Sequence, residues 1–206
     1  PSSLKRLSVS MVGILPPHPT GISQYCVGLL KGMPSHLDVE FFSFKAFAPK
    51  IKFIYQGPSS REDPLPDFSS QKNIHIRTLF TWYNPFTWIQ AGLQLKGDVL
   101  HIQWWHAYLF PLFFTVCALA KLRGKKIICT VHDVVGHEKT IVDALANRAL
   151  FALCDEFIVH VSPNQKQFAE LYHVPLSRIH VIPMGIFDFY SKKISVEKAR
   201  ETIRVP

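Results

Sequence analysis

Neither of the glycine-rich phosphate cradles common in α/β proteins is present: the chain contains no G-x-G-x-x-G and no Walker A sequence. The first absence counts against a dinucleotide dehydrogenase, whose pyrophosphate site needs those glycines for close backbone approach. Cysteine is scarce. Cys26, Cys117, Cys129 and Cys154 lie far apart among apolar neighbours, a pattern of small buried hydrophobes in a reducing compartment and not of a disulfide framework or a C-x-x-C metal site. Long apolar runs are also missing: the longest, Tyr108 to Leu122, contains Pro111 and Lys121 and is too short to span a bilayer. With no signal-peptide pattern in view, the chain reads as cytoplasmic. Charged residues make up only 18%, and no basic run marks a nucleic-acid arm, so no nucleic-acid partner is expected.

What is present is interior. Apolar residues reach 48% of the 206, enough for one large core. The formal charge of +8 favours an anionic partner such as a phosphorylated ligand or an anionic membrane surface. Apolar runs predict strands over Leu7–Leu15, Val39–Phe44, Ile74–Leu79, Asp98–Gln103, Lys126–Val131, Glu156–Val161 and Arg178–Ile182. Helical spacing predicts helices over Ile22–Met33, Tyr108–Leu122, Thr140–Leu153 and Pro163–Leu171, the last with Ser162 as N-cap. Strands alternating with helices imply an α/β fold: a Rossmann-like, doubly wound, mainly parallel sheet of about seven strands flanked by helices. The proline- and serine-bearing stretch from Ala48 to Asn73 reads as irregular.

The most informative stretch runs from Lys125 to Glu138. A β-branched strand ends in His132, Asp133, His137 and Glu138 around Gly136, and in open α/β sheets ligands bind just beyond the carboxyl ends of such strands. The spacing lacks the H-E-x-x-H register that puts two histidines on one helical face, so no metal is expected there. Hydrogen bonding to the hydroxyls of a polar ligand fits better, with His132 at the strand tip; the bland alternative is a turn histidine capping a carbonyl. At the first strand's exit, Thr20-Gly21-Ile22 precedes a helix whose amino terminus favours an anion, or is a simple turn. Trp104 and Trp105, at another exit, suit either a sugar face or core packing. The aromatics from Phe80 to Trp88 suit either a membrane interface or the sheet edge. No nucleophile-elbow pattern supports hydrolase chemistry.

Taken in order, these motifs resemble the amino-terminal domain of retaining GT-B glycosyltransferases of family 4. The carrying residues are Gly21-Ile22, Asp98 to Trp104, Thr130-Val131-His132-Asp133, Gly136-His137-Glu138, Val161-Ser162 and Arg178 to Ile186. The resemblance implies an acceptor-side domain over residues 1–190, and over 191–206 the start of a linker to a second domain that binds the nucleotide-sugar donor. It implies transfer of a hexose to a hydroxyl of a glycan or lipid-linked acceptor, at the cytoplasmic face of the membrane in the lipid-linked case, with no cofactor and no metal. His132 would orient the donor sugar; Thr20, Gly21 and Ile22 would approach donor phosphate and acceptor. Gln103, Trp104, Asp133, His137 and Glu138 would line the substrate, and Met184 and Gly185 would lie at the inter-domain cleft. Relative to that family, Thr20 stands where a second glycine is frequent, Gln103 where histidine is frequent, and Met184 where asparagine or histidine is frequent. Two rival readings are a GT-B sugar-nucleotide epimerase and a carbohydrate- or lipid-binding module without turnover.

Overall fold

The computed structural model describes residues 6–18, 20–46, 65–134, 141–185 and 195–203. Seven strands form one sheet in the order β3-β2-β1-β4-β5-β6-β7, every neighbouring pair parallel. They are β1 (Ser8–Val12), β2 (Asp38–Ala46), β3 (Ile74–Thr81), β4 (Val99–Trp104), β5 (Lys126–Val131), β6 (Glu156–Val159) and β7 (Ile179–Val181). Helices α1 (Gly21–Lys31), α2 (Pro85–Gln94), α3 (Phe110–Leu122), α4 (Ile141–Leu153), α5 (Ser162–Tyr172) and α6 (Val196–Ile203) complete the elements. The doubly wound fold expected from the alternation is therefore the fold observed. None of the described helices is long and apolar enough to cross a membrane.

The predicted strands fall on observed ones, β5 with the same bounds and the others with ends displaced by at most three residues. Ser162 does not serve as N-cap: it is the first helical residue of α5, and Val161 occupies the cap without a side-chain hydrogen bond. The N-cap of α1 is Thr20, whose hydroxyl accepts the Ser23 amide at 3.0 Å.

Alternation along the strands divides the core in two. One cluster contains Val12, Phe42, Phe44, Leu100, Ile102, Trp104, Ile127, Cys129, Val131, Phe157 and Val159, packed with residues of α2, α3, α4 and α5. The other contains Met11, Val39 and Phe41 under Cys26, Val27 and Leu30 of α1. Parallel sheets are normally covered on both sides, and each strand here must be apolar twice over. On β4 and β5, however, the residues alternating with the apolar set include His101, Gln103 and Thr130, all buried. All four cysteines are free and buried, as read from the sequence.

The two halves of the sheet meet where β1 pairs with β4, residues some 90 positions apart, and this seam is pinned at the amino ends of the strands. The Glu40 carboxylate accepts the Ser10 hydroxyl at 2.5 Å, the Gly97 amide at 3.3 Å and the Lys96 amide. Beside it, Ser8 donates its hydroxyl to Asp98 at 2.8 Å. Gly97 approaches so closely that a Cβ built there would lie 2.2 Å from the Ser10 amide nitrogen, which only glycine avoids. Glu40 is 7% exposed, so removing its carboxylate strands buried backbone donors. Glu40→Leu is expected to cost at least ~2 kcal/mol and Glu40→Gln less, since an amide oxygen still accepts. Urea midpoints with an unchanged m-value measure the difference.

Candidate functional site

The polar residues on the α1 side of β4 and β5 are bonded to one another rather than to solvent. His101 Nε2 lies 2.7 Å from Thr130 Oγ1 and 3.3 Å from Gln103 Nε2. Gln103 Oε1 in turn lies 2.9 Å from His132 Nε2. Strand periodicity explains the alignment: His101 and Gln103 are two apart on β4, Thr130 and His132 two apart along β5 and its exit, and the register pairs Gln103 with Thr130. The His132 amide extends that ladder one step by donating to the Trp104 carbonyl at 2.9 Å.

Helix α1 and strand β6 enclose the far side of this row. The Tyr25 ring stands edge-on to His132 at 4.9 Å between centroids and to His160 at 5.1 Å. His132 and His160 are themselves 5.2 Å apart. Tyr25 is one turn after Gly21, so the amino end of α1 and the exit of β5 lie side by side. The Thr20 cap takes the Ser23 amide, and helix geometry leaves the Gly21 and Ile22 amides without intrahelical acceptors. A Cβ built on Gly21 meets nothing within 4 Å, so the fold itself does not demand glycine there.

Burial sets the charge state. His132 is pushed down to about 3, first by desolvation and then by repulsion from His160 and His101. Full burial takes His101 down to about 4, and burial also raises the Tyr25 phenol. The row is therefore neutral across physiological pH, a set of hydrogen-bonding groups without a mobile charge.

Not every expected residue reaches this place. Trp104 is 2% exposed and lies on the other face of β4, edge-on to Phe113 at 5.6 Å and Phe151 at 6.2 Å; the strand pleat turns it into the core, which corrects its reading as a substrate contact. Gln103 is fully buried, so its reach toward a ligand runs through His132. Ile22 is half-buried and packs against both core clusters. Asp133 is half-buried beyond His132, and its charge helps raise the Tyr172 phenol on α5. Met184, 44% exposed, and Gly185 follow β7 at the same carboxyl edge of the sheet. His137 and Glu138 lie outside the described residues. Among the described residues, no group of three His, Cys, Asp or Glu is placed to hold a metal. Tyr25 and His160 were not singled out from the sequence; His160 shares the parity of Ile158, opposite to buried Phe157 and Val159, whereas Tyr25 carries no local signal beyond its place on α1.

The depressed histidines make stability acid-sensitive, and the sign follows from proton counting. Their folded values lie below the unfolded value of roughly 6.5, so the unfolded chain binds protons that the folded one refuses. The contribution is intact above that value and is lost progressively as pH falls toward about 4 and then about 3. His132→Gln is expected to flatten the drop in urea midpoint between pH 7 and pH 4.5 while His101 keeps part of it; an identical drop in both proteins would contradict the assignment.

Residues 19–187 match the sequence model of Glycosyltransferase Family 4. No curated protein matches the chain. Among solved structures, Anabaena HepE in complex with UDP and glucose superposes with a TM-score of 0.59 at 10% identity, over 96% of this chain and 50% of that one. A UDP-N-acetylglucosamine 2-epimerase from Rickettsia bellii superposes with a TM-score of 0.61 at 8% identity, over 98% and 52%. At such identities these likenesses speak for the fold alone, and the chain spans about half the length of either protein. With the family match extending over most of its length, from the residue before the α1 cap to beyond β7, the chain belongs to Glycosyltransferase Family 4 and carries the Rossmann-like domain of a GT-B fold.

Proposed function

We propose that this chain is the acceptor-side domain of a retaining hexosyltransferase that moves a sugar from a nucleotide-sugar to a hydroxyl of a glycan or lipid-linked acceptor. Residues 1–190 form that domain in this reading, and 191–206 lead toward a second domain that holds the donor nucleotide. The observation that carries it is the neutral His132 at the exit of β5, held by Gln103 and set beside the amino end of α1. A neutral imidazole accepts a hydrogen bond from a sugar hydroxyl without charging, and the α1 amides favour the phosphate that leaves.

In this mechanism the protein positions and stabilises. Departure of the nucleotide breaks the bond between anomeric carbon and phosphate oxygen. The acceptor oxygen adds to the same face, and its proton passes to the departing phosphate. A histidine held near 3 is not charged to give a proton at neutral pH, so the contribution of His132 is orientation. The Gly21 and Ile22 amides stabilise the charge that develops on the leaving group. No metal or cofactor enters the scheme.

A lipid-linked acceptor would bring the domain to a membrane surface. Exposed Tyr83, Phe86, Ile89 and Leu93 on and before α2, together with the net charge of +8, favour peripheral contact with an anionic bilayer on the cytoplasmic side.

Product analysis with the full-length protein and UDP- or GDP-sugars tests the reading. Sugar attached to an acceptor, with retained configuration at the anomeric carbon, is the expected outcome. Free nucleotide with epimerised sugar and no acceptor requirement would instead establish an epimerase, and binding without turnover a module. His132→Ala is expected to lower turnover at least tenfold, about the worth of one hydrogen bond near 1.4 kcal/mol. Gly21→Ala is expected to weaken donor use while leaving the unfolding free energy from urea titration within about 0.5 kcal/mol of wild type, because the added methyl meets open space.

A further inference from the structure

We propose that Gln103 is a positioning residue that fixes the tautomer of His132, placing the ring proton on Nε2 and making Nδ1 the acceptor at the carboxyl edge of the sheet. Its bearing on catalysis rests on the transferase reading above; the tautomer itself does not.

The argument is a count of donors along the buried row. The Gln103 amide nitrogen lies 3.3 Å from His101 Nε2 and its carbonyl oxygen 2.9 Å from His132 Nε2. An amide nitrogen only donates, so His101 Nε2 is an acceptor, and the Thr130 hydroxyl, 2.7 Å from the same nitrogen, donates to it as well. A carbonyl only accepts, so His132 Nε2 carries the hydrogen and Nδ1 the lone pair. Reversing the amide would set its NH2 against the His132 Nε2–H, donor facing donor, unless that ring changed tautomer, and at His101 would leave two acceptors, the Gln103 oxygen and His101 Nε2, competing for the single Thr130 proton. With Gln103 fully buried, no solvent is at hand to repair such a mismatch.

The other groups around the ring do not compete for the assignment. His160, one residue past β6, donates from Nδ1 to the Ile182 carbonyl at 3.0 Å; its Nε2 is buried without a partner among the described residues. Tyr25 of α1 meets the His132 ring edge-on. His101 and His160 oppose a positive charge on His132 electrostatically. A carboxamide suits this setting because it orders the ring without charging it, whereas a carboxylate at the same place would favour the imidazolium.

Two-bond proton–nitrogen correlation spectra of the 15N-histidine-labelled protein read the tautomer directly. The expected result is His132 protonated on Nε2 alone. Gln103→Leu is expected to give a mixture of tautomers, and Gln103→Glu to keep Nε2–H while shifting the His132 titration upward by one unit or more. A wild-type proton on Nδ1, or an unaltered tautomer in a folded Gln103→Leu protein, would overturn the proposal. Should Gln103→Leu fail to fold, the near-isosteric Gln103→Glu decides: an unmoved titration refutes it. In the transfer assay Gln103→Leu is expected to lower kcat about tenfold with little change in donor KM, the size of one misplaced hydrogen bond. Gln103→Glu is expected to lose activity on the acid side at a higher pH than wild type, as the raised His132 titration charges the ring. Absence of any transfer product from wild type would remove the catalytic reading and leave the spectroscopic result standing.

Discussion

The organisation of the site follows from one constraint: polar side chains buried in a parallel sheet must satisfy each other. His101, Gln103 and Thr130 have no exposed surface to speak of, yet each carries hydrogen-bonding atoms that water would otherwise serve. Two strands in register bring them within reach, and the row reaches the rim of the sheet at half-buried His132. An all-apolar row would fill the same space and would be easier to stabilise. What the polar row supplies is direction, because a network with a fixed donor count admits few arrangements.

Division of labour between the two sheet faces supports this. Helices α2 to α5 bury the apolar face with interlocked aromatic residues, among them Trp104 with Phe113 and Phe151 with Phe157, Phe168 and Tyr172. The face carrying the histidines is covered by α1 and becomes half-open over β6, where Ile158 and His160 are only partly buried. The larger apolar cluster lies on one side and the buried polar row on the other. Burial on the α1 side is deep enough to discharge the histidines and shallow enough, at His132, to leave the ring at the rim.

The fold was largely legible because strand and helix periods differ, and the seven apolar runs carry the strand signal plainly. Ends were less so: Ser162 has every sequence mark of a cap, but the chain begins α5 one residue earlier than that mark suggests. At the site, His132 was legible from its place at the end of a strand. Trp104 was misread because a strand's terminal residue points to one face or the other by parity, and the parity that matters is set by neighbours Leu100 and Ile102. The relation between Gln103, His101 and Thr130 could have been found from the same parity, since polar residues recur two apart toward the carboxyl ends of two adjacent strands. Tyr25 could not, since its contact with His132 and His160 depends on how α1 crosses the sheet.

The pinned seam between β1 and β4 has a consequence for how the chain assembles. Every other strand pair joins neighbours in sequence order, whereas Ser8 and Asp98 stand 90 residues apart. Closing a loop of that length carries an entropic penalty that grows only logarithmically, but nothing local repays it until the ends meet. The glycine at Gly97 lets backbone touch backbone, and Glu40 and Asp98 gather amides and hydroxyls at the point of closure. β1 to β3 and β4 to β7 thus resemble two halves of a clasp. The rim that carries His132 acquires a floor only once the clasp has shut.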